Sequence, residues 1–280
     1  ININPLFPCI LAPWALFTVI YGALSFSLHY NQPQVTWFIV LCGFLCVVVV
    51  GTVALGQRVK RFTTSEKEPS WMLFLAGSMA IAFLAAYVLG SANYSAHMRP
   101  YFDMRNLNNY SDVYPTRMRG QQLMDAGHIN FANGTHLDLS YSMGFKNLDT
   151  YCVAPISFGN GTGGPLDSYD FWAVGLNCCS GHTPDFHCGE YNNVNALAGL
   201  RLMRDDLRSY FRLAVQQAEA AYNIHAHHPI FVYWMQDPQS EVLAYQAAAY
   251  KSWLVSSLAY LGAQLVLVIL GILVFSKIGI

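Results

Sequence analysis

The sequence predicts an α-helical membrane protein: a four-transmembrane-helix bundle with a large disulfide-containing α+β domain inserted between helices three and four. Three observations predict this fold. Of the 280 residues, 54% are hydrophobic and only 11% are charged, whereas a soluble domain averages roughly 25%. Asp, Glu, Lys and Arg are absent from residues 1–57 and 69–98, and residues 252–280 contain only Lys277. Most charged side chains lie within residues 91–251, which indicates a folded domain outside the membrane.

Four segments are long and apolar enough to cross the hydrocarbon layer, which takes about 20 helical residues. They are residues 10–28, 36–55, 71–89 and 252–275. We expect the first segment to be a retained span rather than a signal peptide, because no basic region precedes it and a second span follows almost at once. The chain then divides into spans one to three at 1–90, the domain at 91–251, and span four with a short tail at 252–280.

Basic residues near the span ends orient the helices. The loop at 57–70 is basic, whereas the connection between spans one and two has neither Lys nor Arg. The basic residues of this loop and of the tail are Arg58, Lys60, Arg61, Lys67 and Lys277. Because such residues accumulate on the cytosolic side, we expect both termini and this loop in the cytosol and residues 91–251 outside it. The predicted location is the plasma membrane or another membrane of the secretory pathway.

Four Asn-X-Ser/Thr sequons in the inserted domain agree with an extracellular or lumenal position. The predicted glycosylation sites are Asn93, Asn109, Asn133 and Asn160. N-linked glycans and bound lipids are therefore the expected attachments, and no cofactor is expected.

The same domain contains four cysteines, which an oxidising compartment would convert to disulfides. They are Cys152, Cys178, Cys179 and Cys188. Of the three possible pairings, a bond between the neighbours Cys178 and Cys179 is disfavoured because it strains the peptide between them. Cys152 is therefore expected to pair with one of these two and Cys188 with the other, and both arrangements remain open. Each bridge is expected to contribute on the order of 3 kcal/mol.

The domain has mixed secondary structure. Asn133-Gly134, between alternating runs within residues 128–141, predicts a β-hairpin. Further strand candidates are residues 151–158 and 169–178. From Asn195 to Tyr222, apolar residues recur every three or four positions, which predicts one long amphipathic helix. Asp237-Pro238 is a favourable helix start, from which a helix should continue into span four.

Two histidine-containing clusters are candidate metal sites. The first is Cys178, Cys179, His182, His187 and Cys188. The second is His225, His227 and His228. Thiolates and imidazoles suit zinc or copper, but adjacent cysteines chelate poorly and the histidines have no nearby carboxylate or cysteine in sequence. Disulfides and a solvated turn are the favoured interpretations, so no metal is expected.

No catalytic motif is recognisable, and the protein is not expected to be an enzyme. The glycine run at 159–164 lacks the Lys and the strand-to-helix context of a phosphate loop. Asp167, Asp170 and Asp185 could supply acid or base, but the sequence pairs none of them. The spans carry Ser, Thr and Gln264 but no ionisable residue at mid-span, which argues against an ion path through this chain alone.

Other residues predict contacts with the surroundings. Four arginines on the predicted long helix could bind an acidic partner, although a solvated face or lipid head groups are favoured; they are Arg201, Arg204, Arg208 and Arg212. Small residues suited to close helix packing are Gly43, Gly51, Gly77 and Gly262. Cys42 and Cys46 are expected in the core of the bundle.

The layout of four spans, cytosolic termini, a short first outer loop and a large second outer loop containing Cys178-Cys179-Ser180-Gly181 resembles the tetraspanins, whose signature is Cys-Cys-Gly. This resemblance implies a non-enzymatic organiser whose outer domain engages partner membrane proteins, with Cys178 and Cys179 forming disulfides. It also implies that Cys9, at the cytosolic edge of span one, is palmitoylated.

The favoured function is a non-enzymatic scaffold, adhesion or organiser protein that binds partners through its large glycosylated domain. The expected partners are membrane lipids and other integral membrane proteins, with a homo-oligomer as an alternative. The net charge of −1 gives no reason to expect nucleic-acid binding. The alternative function is an accessory structural subunit of a larger membrane complex, either a channel or transporter or an organellar bioenergetic assembly.

Overall fold

The computed structural model describes residues 6–64, 71–159, 166–181 and 183–277. The chain forms two compact units, which we call the helical unit and the sheet unit. The helical unit comprises Ile1–Pro100 and Ala244–Ile280, and the sheet unit comprises Tyr101–Leu243.

The helices account for most of the apolar sequence. Their bounds are α1 Leu6–Ser25, α2 Ser27–Asn31, α3 Pro33–Thr64, α4 Trp71–Asn93, α5 Arg99–Arg105, α6 Asp205–Tyr222 and α7 Pro238–Lys277, with a π-helical turn at Tyr94–Met98. Within the described residues, four segments are long and apolar enough to cross a membrane: Leu6–Ser25, Pro33–Gln57, Trp71–Arg105 and Pro238–Ser276. The prediction of four apolar helices of spanning length is confirmed.

The helix ends differ from the predicted span ends for local reasons. α1 stops at Ser25 because Phe26 has an extended backbone, with φ −106° and ψ −168°. The helix predicted to start at Asp237-Pro238 and to run on into span four is confirmed as α7. The Asp237 carboxylate caps it by accepting hydrogen bonds from the backbone N–H groups of Gln239 and Ser240, at 3.0 and 3.1 Å.

In the helical unit, α1 lies parallel to α4. Near the start of both helices, the Cys9 Sγ is 3.9 Å from the carbonyl oxygen of Trp71, and near their ends the Ser25 hydroxyl donates to the Gly90 carbonyl at 3.4 Å. The core between the helices consists of Phe17, Ile20, Tyr21, Leu24, Val40, Ala82 and Ala86.

α7 lies antiparallel to α1 and is joined to it by side-chain hydrogen bonds. These include Gln264 Nε2 to the Cys9 carbonyl at 2.7 Å, Trp14 Nε1 to the Ser257 carbonyl at 3.1 Å, and the Tyr21 and Ser252 hydroxyls at 3.0 Å. The rings of Phe17 and Tyr260 stack with their centroids 4.4 Å apart. Gln264 is fully buried, and its hydrogen bond to the Cys9 carbonyl joins α7 to α1 within the core of the helical unit.

Close helix packing occurs at one of the four predicted glycines. A Cβ on Gly43 would lie 2.8 Å from the Ile20 Cδ1 atom, so this glycine does let α3 approach α1. The prediction is wrong for the other three, since nothing lies within 4 Å of a Cβ at Gly51, Gly77 or Gly262. Gly90 is a packing glycine that the sequence did not single out, because its Cβ would lie 3.0 Å from the Cβ of Leu24.

The sheet unit contains an eight-stranded mixed sheet. Its strands are β1 Asn108–Val113, β2 Ala126–Phe131, β3 Thr135–Leu137, β4 Met143–Asn147, β5 Asp149–Phe158, β6 Phe171–Leu176, β7 Ala198–Arg201 and β8 Ile230–Met235. The strand order is β1-β2-β7-β8-β6-β5-β3, and β4 pairs with β5 off this path. β1 with β2 and β6 with β8 are parallel, and the other pairs are antiparallel. The strands predicted at 151–158 and 169–178 are confirmed as β5 and β6.

Side chains alternate between two cores on opposite faces of the sheet. Along β6, Phe171 and Ala173 belong to one core, whereas Trp172 and Val174 belong to the other. α6 covers the second core with its apolar face, at the centre of which Phe211 is fully buried. The first core includes the disulfide cysteines.

The helix predicted at 195–222 is wrong in its first part. Residues 198–201 form β7, which pairs with both β2 and β8, and α6 begins only at Asp205 after an extended Arg204. A central strand buries side chains on both faces, so its apolar residues do not alternate with polar ones. Such a short run cannot be told from a helix by spacing alone.

The hairpin predicted within 128–141 is also wrong. A tight turn does form at Asn133-Gly134, where the Thr135 N–H donates to the Ala132 carbonyl at 3.1 Å and Gly134 has φ +97°. The flanking strands nevertheless separate, since β2 pairs with β1 and β7 while β3 pairs with β5. Pairing with distant strands therefore outweighs the local turn preference.

Candidate functional site

Two disulfides hold the chain that follows β6: one joins it to β5, and the other closes a short loop within it. Cys152 bonds to Cys179, and Cys178 bonds to Cys188, with Cα–Cα distances of 5.8 and 5.2 Å. The pairing is thus one of the two that the sequence left open, and the adjacent cysteines are not bonded to each other. We call residues 178–188, of which 182 lies outside the described residues, the cysteine turn.

Hydrogen bonds also hold the cysteine turn in one conformation. The His187 N–H donates to the Cys178 carbonyl at 3.0 Å, and the Ser180 N–H lies 3.0 Å from both oxygens of Asp185. Hydrogen bonding from Ser180 holds the pKa of Asp185 below its ordinary value. Two disulfides and the hydrogen bonds to the Asp185 carboxylate therefore stabilise the cysteine turn.

Glycines allow the cysteine turn to lie directly on the sheet. A Cβ on Gly144 of β4 would come within 2.6 Å of Gly181 Cα and 2.8 Å of Cys179 Sγ. A Cβ on Gly175 of β6 would lie 2.6 Å from Cys178 Sγ. A larger side chain at either position would displace the turn, so these glycines fix where it sits.

A groove of ≈ 660 Å³ lies beside β4, which we call the β4 groove. It is lined by residues 143–146 of β4, Ser180 and Gly181 of the cysteine turn, and Gln217, Ala220 and Ala221 of α6. β4 pairs with β5 through one edge, and the structure gives its other edge no strand partner among the described residues. The groove therefore has an open strand edge on β4 and a wall formed by the cysteine turn, which the two disulfides hold in place.

The first predicted metal cluster does not form a metal site. Its three sulfurs are in disulfides, so the thiolates that zinc requires are not available. The sulfurs of Cys152, Cys178 and Cys188 lie within 4.8 Å of one another because the two bonds are neighbours. His187 places its Nδ1 2.8 Å from the Asp185 carbonyl, and His182 lies outside the described residues.

The second cluster, His225, His227 and His228, is exposed and does not converge on a common point. In the part of the chain that the structure describes, only the disulfide sulfurs form a group of three or more potential metal ligands. The His227 Nδ1 is instead 2.9 Å from the Ser168 hydroxyl. Hydrogen bonds to neighbouring side chains therefore hold this loop.

The buried Asp170 carboxylate holds that loop by hydrogen bonds to its backbone, a role that the sequence does not predict. Its carboxylate is only 3% exposed. It accepts hydrogen bonds from Ser168 Oγ at 2.6 Å and from the backbone N–H groups of Gly120, His227 and His228 at 2.9, 3.0 and 3.2 Å. Burial raises the pKa of Asp170, but these hydrogen bonds outweigh burial and lower it below the ordinary value. Asp167 and Asp185 do not join this network.

The predicted modification sites differ in accessibility. Asn109 and Asn133 are exposed, and Asn160 lies outside the described residues. Asn93 is 4% exposed and its Nδ2 donates to the Ala249 carbonyl at 3.2 Å, so the predicted glycan at Asn93 is not expected.

The cysteines of the apolar helices also differ from the predictions. Cys9 is 2% exposed, which leaves its thiol inaccessible for the predicted palmitoylation. Cys42 and Cys46, expected in the core, are instead exposed on α3.

Comparison of the chain with known protein families, with curated proteins and with solved structures gives no match. The features shared with the tetraspanins are therefore the four apolar helices and the disulfides, and kinship with that family is not shown.

Proposed function

We propose that the protein is a non-enzymatic membrane organiser whose sheet unit binds an extended segment of a partner membrane protein along β4. The observation that carries this proposal is the β4 groove. An open strand edge presents backbone N–H and C=O groups to which another strand can add. Because the cysteine turn and α6 line the groove, an added strand would meet a preformed site and lose little entropy in ordering it.

The side chains of β4 would give this site its specificity. Met143 and Phe145 are partly buried and pack with the second core. An added strand would place alternate side chains beside them, which is how strand addition selects its ligand. No His, Asp or Glu is among the described residues that line the groove, so the lining supports binding rather than acid–base chemistry.

Charge favours a partner different from this chain. Lys146 is exposed and is the only charged residue among the described residues lining the groove. Two copies of β4 added to each other would bring two such lysines close together, and like charges across a strand pair are destabilising. The proposed partner segment therefore carries an acidic residue that faces Lys146.

Membrane placement is part of the same proposal. We place the four apolar helices in the membrane of the plasma membrane or secretory pathway, with residues 91–251 extracellular or lumenal and both termini cytosolic. The charge distribution, two disulfides and two exposed sequons support this orientation.

Glycosylation provides the first test of this orientation. Enzymatic deglycosylation of protein purified from its own cells should lower the mass, and Asn109→Gln and Asn133→Gln should each remove one glycan. Asn93→Gln serves as the control and should leave the mass of the glycans unchanged, because Asn93 is buried. A mass that deglycosylation does not alter would contradict the secretory placement.

Crosslinking from the groove tests the partner. A photoreactive amino acid at Lys146, in the full chain in its native membrane, should crosslink to one defined, acid-containing segment of another membrane protein. The same amino acid at Leu213, which is exposed on α6 outside the groove lining, is the matched control. Lys146→Glu should lower recovery of that complex about tenfold, as expected for losing one charge-assisted contact, and Lys146→Arg should retain it.

Two outcomes would contradict the proposal. Crosslinks that join only copies of this chain would identify β4 as a self-association edge instead. Equal recovery of the complex with Lys146→Glu and Lys146→Arg would show that the partner does not bind along β4.

A further inference from the structure

A second, smaller pocket in the sheet unit is lined by basic side chains. Its volume is ≈ 180 Å³. Its basic lining residues are Arg201 at the end of β7, Arg208 and Arg212 on α6, and His228. No carboxylate is among the described residues that line it. We call it the arginine pocket.

Arg201 is the most buried of these groups. Its Nη1 atom is inaccessible to solvent and has no hydrogen-bond partner among the described residues. Burial, and then the charge of Arg208, lower the pKa of Arg201 from its ordinary value. A buried guanidinium N–H without a partner is unfavourable, so Arg201 is a donor whose acceptor is absent from the described chain.

The nearby acids do not neutralise the pocket. Asp205 forms an ion pair with Arg208 at 3.0 Å, at a site where both side chains are at least half exposed. Both oxygens of the Asp170 carboxylate already accept hydrogen bonds, two of them from the backbone of His227 and His228. Neither Arg201 nor Arg212 has an ion-pair partner in the part of the chain that the structure describes. The pocket is therefore positively charged.

We propose that the arginine pocket binds a phosphate or sulfate group. Guanidinium groups from β7 and from two turns of α6 offer more donors than the two oxygens of one carboxylate can accept, whereas a tetrahedral oxyanion offers three or four oxygens. The pocket is several times the volume of about 30 Å³ that one water occupies in the liquid. It is smaller than the roughly 300–1,000 Å³ of sites for drug-sized ligands, which fits a single oxyanion group with a small apolar attachment.

Binding of inorganic phosphate and of sulfate to the full chain tests this proposal directly. Calorimetric titration in neutral phosphatidylcholine nanodiscs, at fixed ionic strength, should show one saturable site with a dissociation constant below about 1 mM. Arg201→Gln and Arg212→Gln should each weaken binding by about tenfold or more, the effect expected for losing charge-assisted hydrogen bonds. Arg212 is exposed on α6, so its variant keeps the test valid should Arg201→Gln fail to fold.

Arg204→Gln is the matched control. Arg204 also lies beside α6, but it pairs with Asp206 at 2.6 Å and does not line the pocket. Its replacement should change the dissociation constant by less than about twofold, as for a solvent-exposed charge. The absence of saturable phosphate and sulfate binding, or equal weakening by Arg204→Gln and Arg212→Gln, would overturn the proposal.

Nanodiscs of different lipid composition show whether the bound oxyanion belongs to a lipid head group or to a small soluble molecule. Nanodiscs containing phosphatidic acid are compared with discs that contain oleate at the same negative charge. If the group belongs to a lipid head group, phosphatidic acid should weaken the binding of added phosphate more than oleate does. If it belongs to a small soluble molecule, the two kinds of disc should give the same dissociation constant. Both results retain the oxyanion site and assign its ligand.

Discussion

Replacing Cys152 and Cys179 together by alanine is expected to lower the free energy of unfolding of the sheet unit by about 3–4 kcal/mol. The bond closes a loop with a sequence separation of 27 residues, and the chain-entropy relation gives this magnitude for a loop of about that length. Losing the buried sulfur of Cys152 from the first core adds to the effect. Pulse proteolysis of the full chain in detergent, over a denaturant series, measures the change through cleavage within residues 101–243.

Cys42→Ala combined with Cys46→Ala is the matched control, because both cysteines are free and exposed. These changes should leave the unfolding of the sheet unit unaltered. The single variant Cys152→Ala also tests the pairing, since its unpaired thiol should belong to Cys179. A thiol label found on Cys178 by tandem mass spectrometry would instead support the other arrangement.

The second large effect is expected from Asp170→Asn, which should lower the free energy of unfolding by about 2–4 kcal/mol. The carboxylate accepts four hydrogen bonds from three separate segments, around Gly120, Ser168 and His227. The NH2 group of the new Asn side chain would face groups that are themselves hydrogen-bond donors. At least one of these buried donors would therefore lose its acceptor. Asp167→Asn, three residues away and exposed, is the control and should change stability by less than about 0.5 kcal/mol.

The same variant should alter the pH dependence of stability. The pKa of Asp170 is lowered in the folded state, so its contribution is present above the unfolded-state pKa of about 3.9 and is lost as pH falls through the folded-state value. The wild-type chain should therefore lose stability on acidification below about pH 4 more steeply than Asp170→Asn. Parallel stability curves for the two proteins would show that Asp170 is not the ionised acceptor.

The four long apolar helices could be predicted from sequence because a membrane-spanning helix must be almost free of charged residues. Such a helix has almost no charge over about 20 residues, and this pattern predicts the four long apolar helices. The pairing of the cysteines could be narrowed only to two arrangements, because the adjacent Cys178 and Cys179 are equivalent in spacing. The choice depends on which sulfur meets Cys152 on the sheet, and sequence spacing carries no such information.

The sheet unit was harder to predict because its strands pair with distant partners. Ala198–Arg201 fits a helical spacing and becomes a strand only because β2 and β8 lie on either side of it. The arginine pocket shows the same limit. The spacing predicts that Arg201 shares a helix with Arg208 and Arg212, whereas Arg201 lies on β7 and meets them and His228 only through the strand order. The sequence marks Asp170 only as a candidate acid, because three of its four hydrogen-bond partners are backbone N–H groups, which sequence cannot assign.

The order of the two units along the chain has a consequence for synthesis. α7, whose Gln264 and Ser257 bond to α1, is made only after the whole of Tyr101–Leu243. At about 5–20 residues per second, that stretch takes a ribosome roughly 7–30 s. During this interval the indole N–H of Trp14 and the hydroxyl of Tyr21 lack their α7 partners, although α1, α3 and α4 have already been made. Completion of the helical unit is thereby coupled in time to emergence of the sheet unit.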